Sequence, residues 1–174
     1  MVKAAESSLD EATLDHGAWS TEGPMDVATG LSAQEFAEIH NLYAYYNLSS
    51  DMGAPEEYAS CFTPDGLLVV HGLVLSGNSF VRGPGDMQVR GRRDLTTFKR
   101  NDQAGRAGKY RRHWNGSIFL QKLEGETVRG RCYLQAFNGD PGSLPVLAQT
   151  GVYEDVIVKV NGEWRFASRS LTID

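Results

Sequence analysis

The chain has 174 residues, 41% of them hydrophobic and 22% charged, with a net charge of −5. That size and balance suit one domain with a sizeable core and argue against nucleic acid as a partner. No stretch approaches the roughly eighteen consecutive apolar residues of a membrane span, and the N-terminus lacks the apolar core of a signal peptide, so a cytoplasmic location without membrane partners is expected.

Residues 1–30 read as an acidic arm, with Asp10, Glu11, Asp15, Glu22 and Asp26 punctuated by glycines. Trp19 is its one large apolar residue and is expected to dock on the body or on a neighbouring subunit. The domain proper is placed at residues 31–174. Its first helix opens on Ser32-Ala33-Gln34-Glu35, a capping box in which Ser caps the first turn and Glu reaches back. Phe36, Ile39, Tyr43 and Tyr46 or Asn47 follow at helical spacing and form a core-facing stripe. Tyr43 and Tyr46 serve there either as packing or as hydroxyl donors into a cavity.

Gly53-Ala54-Pro55 ends this helix just after Asp51, and Glu56–Phe62 reads as a short second helix. Thr63-Pro64-Asp65-Gly66 is a turn by composition. Leu67–Leu75 is an apolar strand containing His71, with Gly72 marking a bend or bulge. Gly83-Pro84-Gly85 opens an irregular stretch, Arg92–Arg100 is expected to be a helix, and 101–108 a loop. Strands are expected at 113–123, 127–137 and 147–160, the last joined through Asn161-Gly162 to a strand over 163–171. Helices followed by long antiparallel strands define an α+β layout, a curved sheet with helices enclosing a pocket.

Residues 82–112 carry ten Lys/Arg against three Asp, a net of +7 that leaves −12 elsewhere. The segment is read as a surface pairing with acidic flanks, with Arg111 reaching the face of His113 because strand residues two apart share a side. Cys61 and Cys132 lack metal-ligand or disulfide-framework spacing and are expected to be reduced, buried fillers. The histidines, His16, His40, His71 and His113, form no close metal-binding pair, so no metal is expected. His16 is read as solvated and His40 as a boundary residue. No phosphate-binding glycine loop supports a nucleotide.

Asp51 and His113 stand sixty-two residues apart. If folding joins them, the carboxylate fixes the imidazole tautomer and the other ring nitrogen becomes a general base. The helix ending in Asp51, the phrase Tyr58-Ala59-Ser60-Cys61-Phe62-Thr63-Pro64-Asp65-Gly66, His113 at a strand start, and Gly151-Val152-Tyr153-Glu154-Asp155 with Asn161–Phe166 together resemble the SnoaL-like branch of the NTF2-like superfamily. The resemblance implies a cone-shaped α+β barrel with a deep pocket, assembled as a homodimer or homotrimer. It also implies an Asp–His dyad at Asp51 and His113, as in the scytalone dehydratases, with His71 where those keep a tyrosine and Cys132–Tyr133 where they keep a second histidine.

The function expected from it is a cofactor-free lyase that removes water or formaldehyde from an aromatic or polycyclic small molecule. His113, Asp51 and His71 are the candidate catalytic residues, and Tyr43, Tyr46, Phe62, Arg111 and Tyr133 the substrate contacts. The alternatives are an isomerase or polyketide cyclase of ketosteroid-isomerase type, and a non-catalytic small subunit of a ring-hydroxylating dioxygenase.

Overall fold

The computed structural model describes residues 28–76 and 79–174, with side chains outside 74–82. Most of the acidic arm, with His16 and Trp19, lies outside the described residues. Ser32 caps α1 (Ala33–Met52) through the expected reciprocal box with Glu35, and Gly53 ends it. The helix buries Ile39, Leu42, Tyr43, Tyr46, Ser49 and Ser50, while Phe36 stays at the edge of the stripe, stacked on His40 at 4.4 Å. Pro55 starts the short α2 (Pro55–Ser60), where its missing N–H costs no helix bond.

Six strands form one curved sheet in the order β2-β1-β6-β5-β4-β3. They are β1 (Phe62–Ser76), β2 (Ser79–Arg90), β3 (Tyr110–Lys122), β4 (Thr127–Gly139), β5 (Val146–Val160) and β6 (Glu163–Ile173). Every pairing is antiparallel except β1 with β6, which is parallel. The sheet does not close. α1 covers one face, called inner below, and packs on it through Tyr43, Tyr46 and Ile39.

The strand and helix boundaries differ from expectation where irregular backbone is absorbed into longer elements. Thr63–Gly66 is a bulged start of β1, since the β1–β6 register slips between Phe62 and Leu67 and Pro64 has no N–H for the ladder. Gly83–Gly85 lies inside β2 opposite Gly72, whose φ of 73° makes the bulge between His71 and Leu73. α3 (Arg92–Ala104) continues through residues expected to be loop, because Asp102 pairs with Lys99 one turn back in the same helix and Gln103 donates to the Gly53 carbonyl at the end of α1. Asn161 and Gly162 both take positive φ and close the β5–β6 hairpin as anticipated.

Strand alternation sets what each face carries. Val128, Cys132, Leu134 and Ala136 of β4 are buried on the inner face, with Tyr153, Asp155 and Ile157 of β5. In β6 a bulge near Ala167 shifts the alternation, so Trp164 and Phe166 and then Arg169 and Leu171 all point inward. Gly130 of β4 is required by a close approach, for a Cβ there would sit 2.2 Å from the Tyr43 hydroxyl.

Candidate active site

Asp51 occupies the last turn of α1, so its side chain projects off the helix end toward β3. β3 is an edge strand, which leaves outward N–H groups to be satisfied by something other than a neighbouring strand. The Asp51 carboxylate takes one of them. Its Oδ2 accepts the His113 backbone N–H at 2.8 Å, and its Oδ1 meets the His113 ring Nδ1 at 2.5 Å.

Two contacts from one carboxylate fix both the strand and the ring. The pairing assigns the proton to Nδ1, leaving Nε2 as the basic nitrogen. The Asp51 and His113 side chains are 4% and 14% exposed, so the carboxylate is sealed and the imidazole retains a little access. Burial pushes the His113 imidazole below its ordinary value; Asp51 pulls it up again, while Lys99 and Arg111 add to the depression. A neutral imidazole at neutral pH follows.

Behind Asp51 lies a charged network that sequence reasoning missed. Arg106, just past α3, donates to the carbonyls of Ser50 and Asp51, both at 2.9 Å, and to Asp102 Oδ2 at 2.6 Å. Carbonyls at a helix C-terminus have no partner within the helix, so Arg106 completes the turn that carries the dyad's carboxylate. Lys99 donates to Ser50 Oγ at 2.9 Å and to Asp102 at 3.1 Å, with its ammonium 4.4 Å from the centre of the Tyr58 ring. Arg111 reaches Asp102 Oδ1 at 3.0 Å and Asn138 at 2.9 Å.

Asp102 is thus shared by three cations. Although burial would raise its carboxyl, Lys99 and Arg106 hold it well below the usual range. Burial lowers the Lys99 ammonium to about 8, against the pull of Asp102. The sequence signal available was the 99/102/106 spacing on a helical face. The basic segment therefore divides: these three cations turn inward, while Arg100 pairs with Glu56 and Lys109 with Asp140 at the surface.

The inner face deeper in the sheet is filled by aromatic rings around a second buried pair. Arg169, fully buried, lies 3.2 Å from Asp155 Oδ1, and its guanidinium carbon is within 5.0 Å of the ring centres of Tyr43, Tyr46, Tyr153 and Phe166. Tyr43 donates to Asp155 Oδ2 at 2.6 Å. Burial raises the Asp155 carboxyl to about 6, offset by Arg169 and the Tyr43 hydroxyl. Tyr46 and Tyr58 share a hydrogen bond of 3.1 Å, and Phe62 packs against both rings and Phe166.

The structure therefore brings together Asp51, His113 and Arg111. It places Tyr43, Tyr46 and Phe62 in the packed wall. His71 and Tyr133 are not brought to the dyad, because alternation turns them to the outer face. His71 is registered with Thr172 and bonds Ser170, whereas the adjacent Val70 and Leu171 point inward. Tyr133, between inward Cys132 and Leu134, is exposed.

A cleft of about 520 Å³ lies at the outer face, lined by Phe119, Arg131, Tyr133, Val152, Glu154 and Thr172 among others. A second, of about 310 Å³, lies between α1 and the β5–β6 turn. Cys61 and Cys132 are free and buried, and burial pushes their thiols up to about 11 and about 12. Among the described residues, no group of three His, Cys, Asp or Glu is placed to hold a metal ion, and no helix is long and apolar enough to cross a membrane.

Comparison with known proteins agrees with this architecture. The family model of the SnoaL-like domain matches residues 31–170. A protein of unknown function from Mycobacterium tuberculosis, Rv3472, is 25% identical with a TM-score of 0.65, over 81% of this chain and 72% of its own. ActVI-ORFA from Streptomyces coelicolor is 20% identical with a TM-score of 0.67, over 81% and 98%. A candidate scytalone dehydratase from Novosphingobium aromaticivorans is 23% identical with a TM-score of 0.60, over 81% and 85%. No curated protein matches the chain.

Proposed function

Given that the chain belongs to the SnoaL-like domain family of the NTF2-like superfamily, we propose that it is a cofactor-free lyase acting on an aromatic or polycyclic small molecule. The observation that carries this reading is the Asp51 carboxylate joined to both the backbone and the ring of His113. A held, neutral imidazole with one free nitrogen is what proton abstraction near neutral pH requires.

In the dehydration form, His113 Nε2 takes a proton from carbon, the electron pair forms the new double bond, and the C–O bond to the leaving hydroxyl breaks. The imidazolium then returns its proton to the departing oxygen, which leaves as water. In the formaldehyde form, the proton comes from a hydroxymethyl oxygen and the C–C bond to that carbon breaks to release formaldehyde. The electron pair of that bond forms the double bond as the adjacent hydroxyl departs with the proton from His113 as water. Arg111, on the His113 face and paired to Asp102, stabilises negative charge that develops on the conjugated system.

The same base also serves an isomerase or cyclase, in which the abstracted proton is returned to another carbon and no group departs. Product mass separates the two. Purified protein is incubated with scytalone and with hydroxymethyl-bearing diaryl diols, and products are weighed by mass spectrometry. Loss of water or formaldehyde that depends on His113 supports the lyase; an isomeric product of unchanged mass moves the assignment to the isomerase. Equal turnover by wild type and His113→Ala removes the base and both readings with it.

A further inference from the structure

The outer face carries a second constellation that the dyad chemistry does not use. His71 Nδ1 lies 2.9 Å from Asp86 Oδ2, and His71 Nε2 lies 2.8 Å from the Ser170 hydroxyl. β1 supplies the histidine, and its two neighbours in the sheet, β2 and β6, supply the aspartate and the serine. The order carboxylate, imidazole, hydroxyl is that of an activated serine: the carboxylate sets the tautomer and the other nitrogen accepts the hydroxyl proton.

Two further observations place this trio where a substrate can reach it. The His71 and Asp86 side chains are 22% and 43% exposed, so both keep access to solvent. The 520 Å³ cleft begins beside it, for Glu154 is the cross-strand partner of Ser170 and Thr172 that of His71, and both line the cleft. Phe119, Tyr133 and Val152 make the rest of its wall largely apolar. Thr172 shares the face of Ser170 two residues on, which puts a hydroxyl donor on the cleft side of the nucleophile. Arg131 and Glu154 are paired at 2.7 Å there, so the charged part of the lining is an ion pair with no net charge.

We propose that Ser170, His71 and Asp86 form a second, nucleophilic site that takes acyl groups from small esters whose apolar part lies in the outer cleft. Ser170 Oγ bonds to the ester carbonyl carbon as its proton passes to His71 Nε2. The tetrahedral intermediate collapses, the bond from carbon to the leaving oxygen breaks, and that oxygen leaves with the proton from His71. Water then attacks the acyl-serine, giving one proton to His71 and releasing the carboxylic acid as Ser170 regains its hydrogen.

The backbone of Ser170 belongs to the sheet ladder with β5 and β1, so side chains alone are left to stabilise the oxyanion. The reaction is accordingly confined to esters with good leaving groups. It is independent of Asp51 and His113, and its failure leaves the lyase reading untouched.

The test uses the full chain and p-nitrophenyl butyrate, following p-nitrophenolate release, intact mass and the acylated peptide. The expected result is one butyryl group on Ser170 with a burst of one equivalent. Ser170→Ala and His71→Phe abolish that label, and Asp86→Asn slows acylation at least tenfold and alters its pH profile. Ser170→Cys, which keeps a nucleophile in place, retains labelling at position 170. Absence of label at Ser170 in the wild type overturns the proposal, as does phenolate release of wild-type rate in folded Ser170→Ala.

Discussion

Two histidines in this sheet each hold an aspartate, and they differ in everything around that contact. On the inner side, Asp51 is sealed, bonds His113 at two points, and is backed by Arg106 and Lys99. On the outer side, Asp86 is half exposed and touches His71 through one oxygen. Burial turns the first contact into a structural clamp with a depressed imidazole, whereas solvent screens the second. The same residue pair thus acquires different chemistry from the number of groups that hold the carboxylate.

The sharpest way to break the contrast is at the base. Replacing His113 by Ala, or Asp51 by Asn, is expected to reduce lyase turnover by about two to four decades, read as product formed per minute by mass spectrometry. Asp51→Asn also lowers the His113 pKa further, since Asp51 raises it in the native protein. NMR titration of the ring checks this, and an upward shift would falsify the assigned role of the carboxylate.

The pH dependence has a definite sign. With the His113 pKa depressed in the fold, the unfolded chain takes up the proton first as pH falls. The stability linked to His113 is thus present above its unfolded pKa of about 6.5 and lost as pH falls through the folded value. The acid limb of kcat/KM should fall below that same ordinary histidine range.

Next in size is the buried pair deeper on the inner face. Asp155→Ala leaves the Arg169 guanidinium charged and unpaired, and is expected to cost about 3–5 kcal/mol in urea unfolding. Gly130→Ala drives a methyl against the Tyr43 hydroxyl and should cost about 1–3 kcal/mol by overpacking. At the outer pair, Asp86→Asn should change stability by no more than about 1 kcal/mol. A loss at Asp86 equal to that at Asp155 would erase the distinction between the faces.

What the sequence made legible was local. The Ser32–Glu35 box, the Gly53–Pro55 stop and the Asn161-Gly162 turn each depend on neighbours within a few residues, and each is found in place. The Asp51–His113 contact was legible only through family resemblance, because no local rule joins residues so far apart. Arg169 escaped because the β6 bulge near Ala167 reverses the alternation that would have put it in solvent. Lys99 escaped because a lysine on a polar helix reads as a solvated charge until Ser50, Asp102 and Tyr58 surround it. His71 was assigned by position in the chain; side-chain direction is set by register, which a strand pattern interrupted at Gly72 does not reveal.

The parallel pairing of β1 with β6 has a consequence for how the protein is made. Phe62 is registered with Phe166, about a hundred residues later, and β1 fills the gap between β2 and β6. On a ribosome, the β1–β2 hairpin must wait for nearly the whole chain before its inner edge is covered. Contacts of such long sequence separation slow folding through loop-closure entropy. An exposed strand edge held open that long is a site for nascent-chain aggregation, and the period of risk ends when β6 docks.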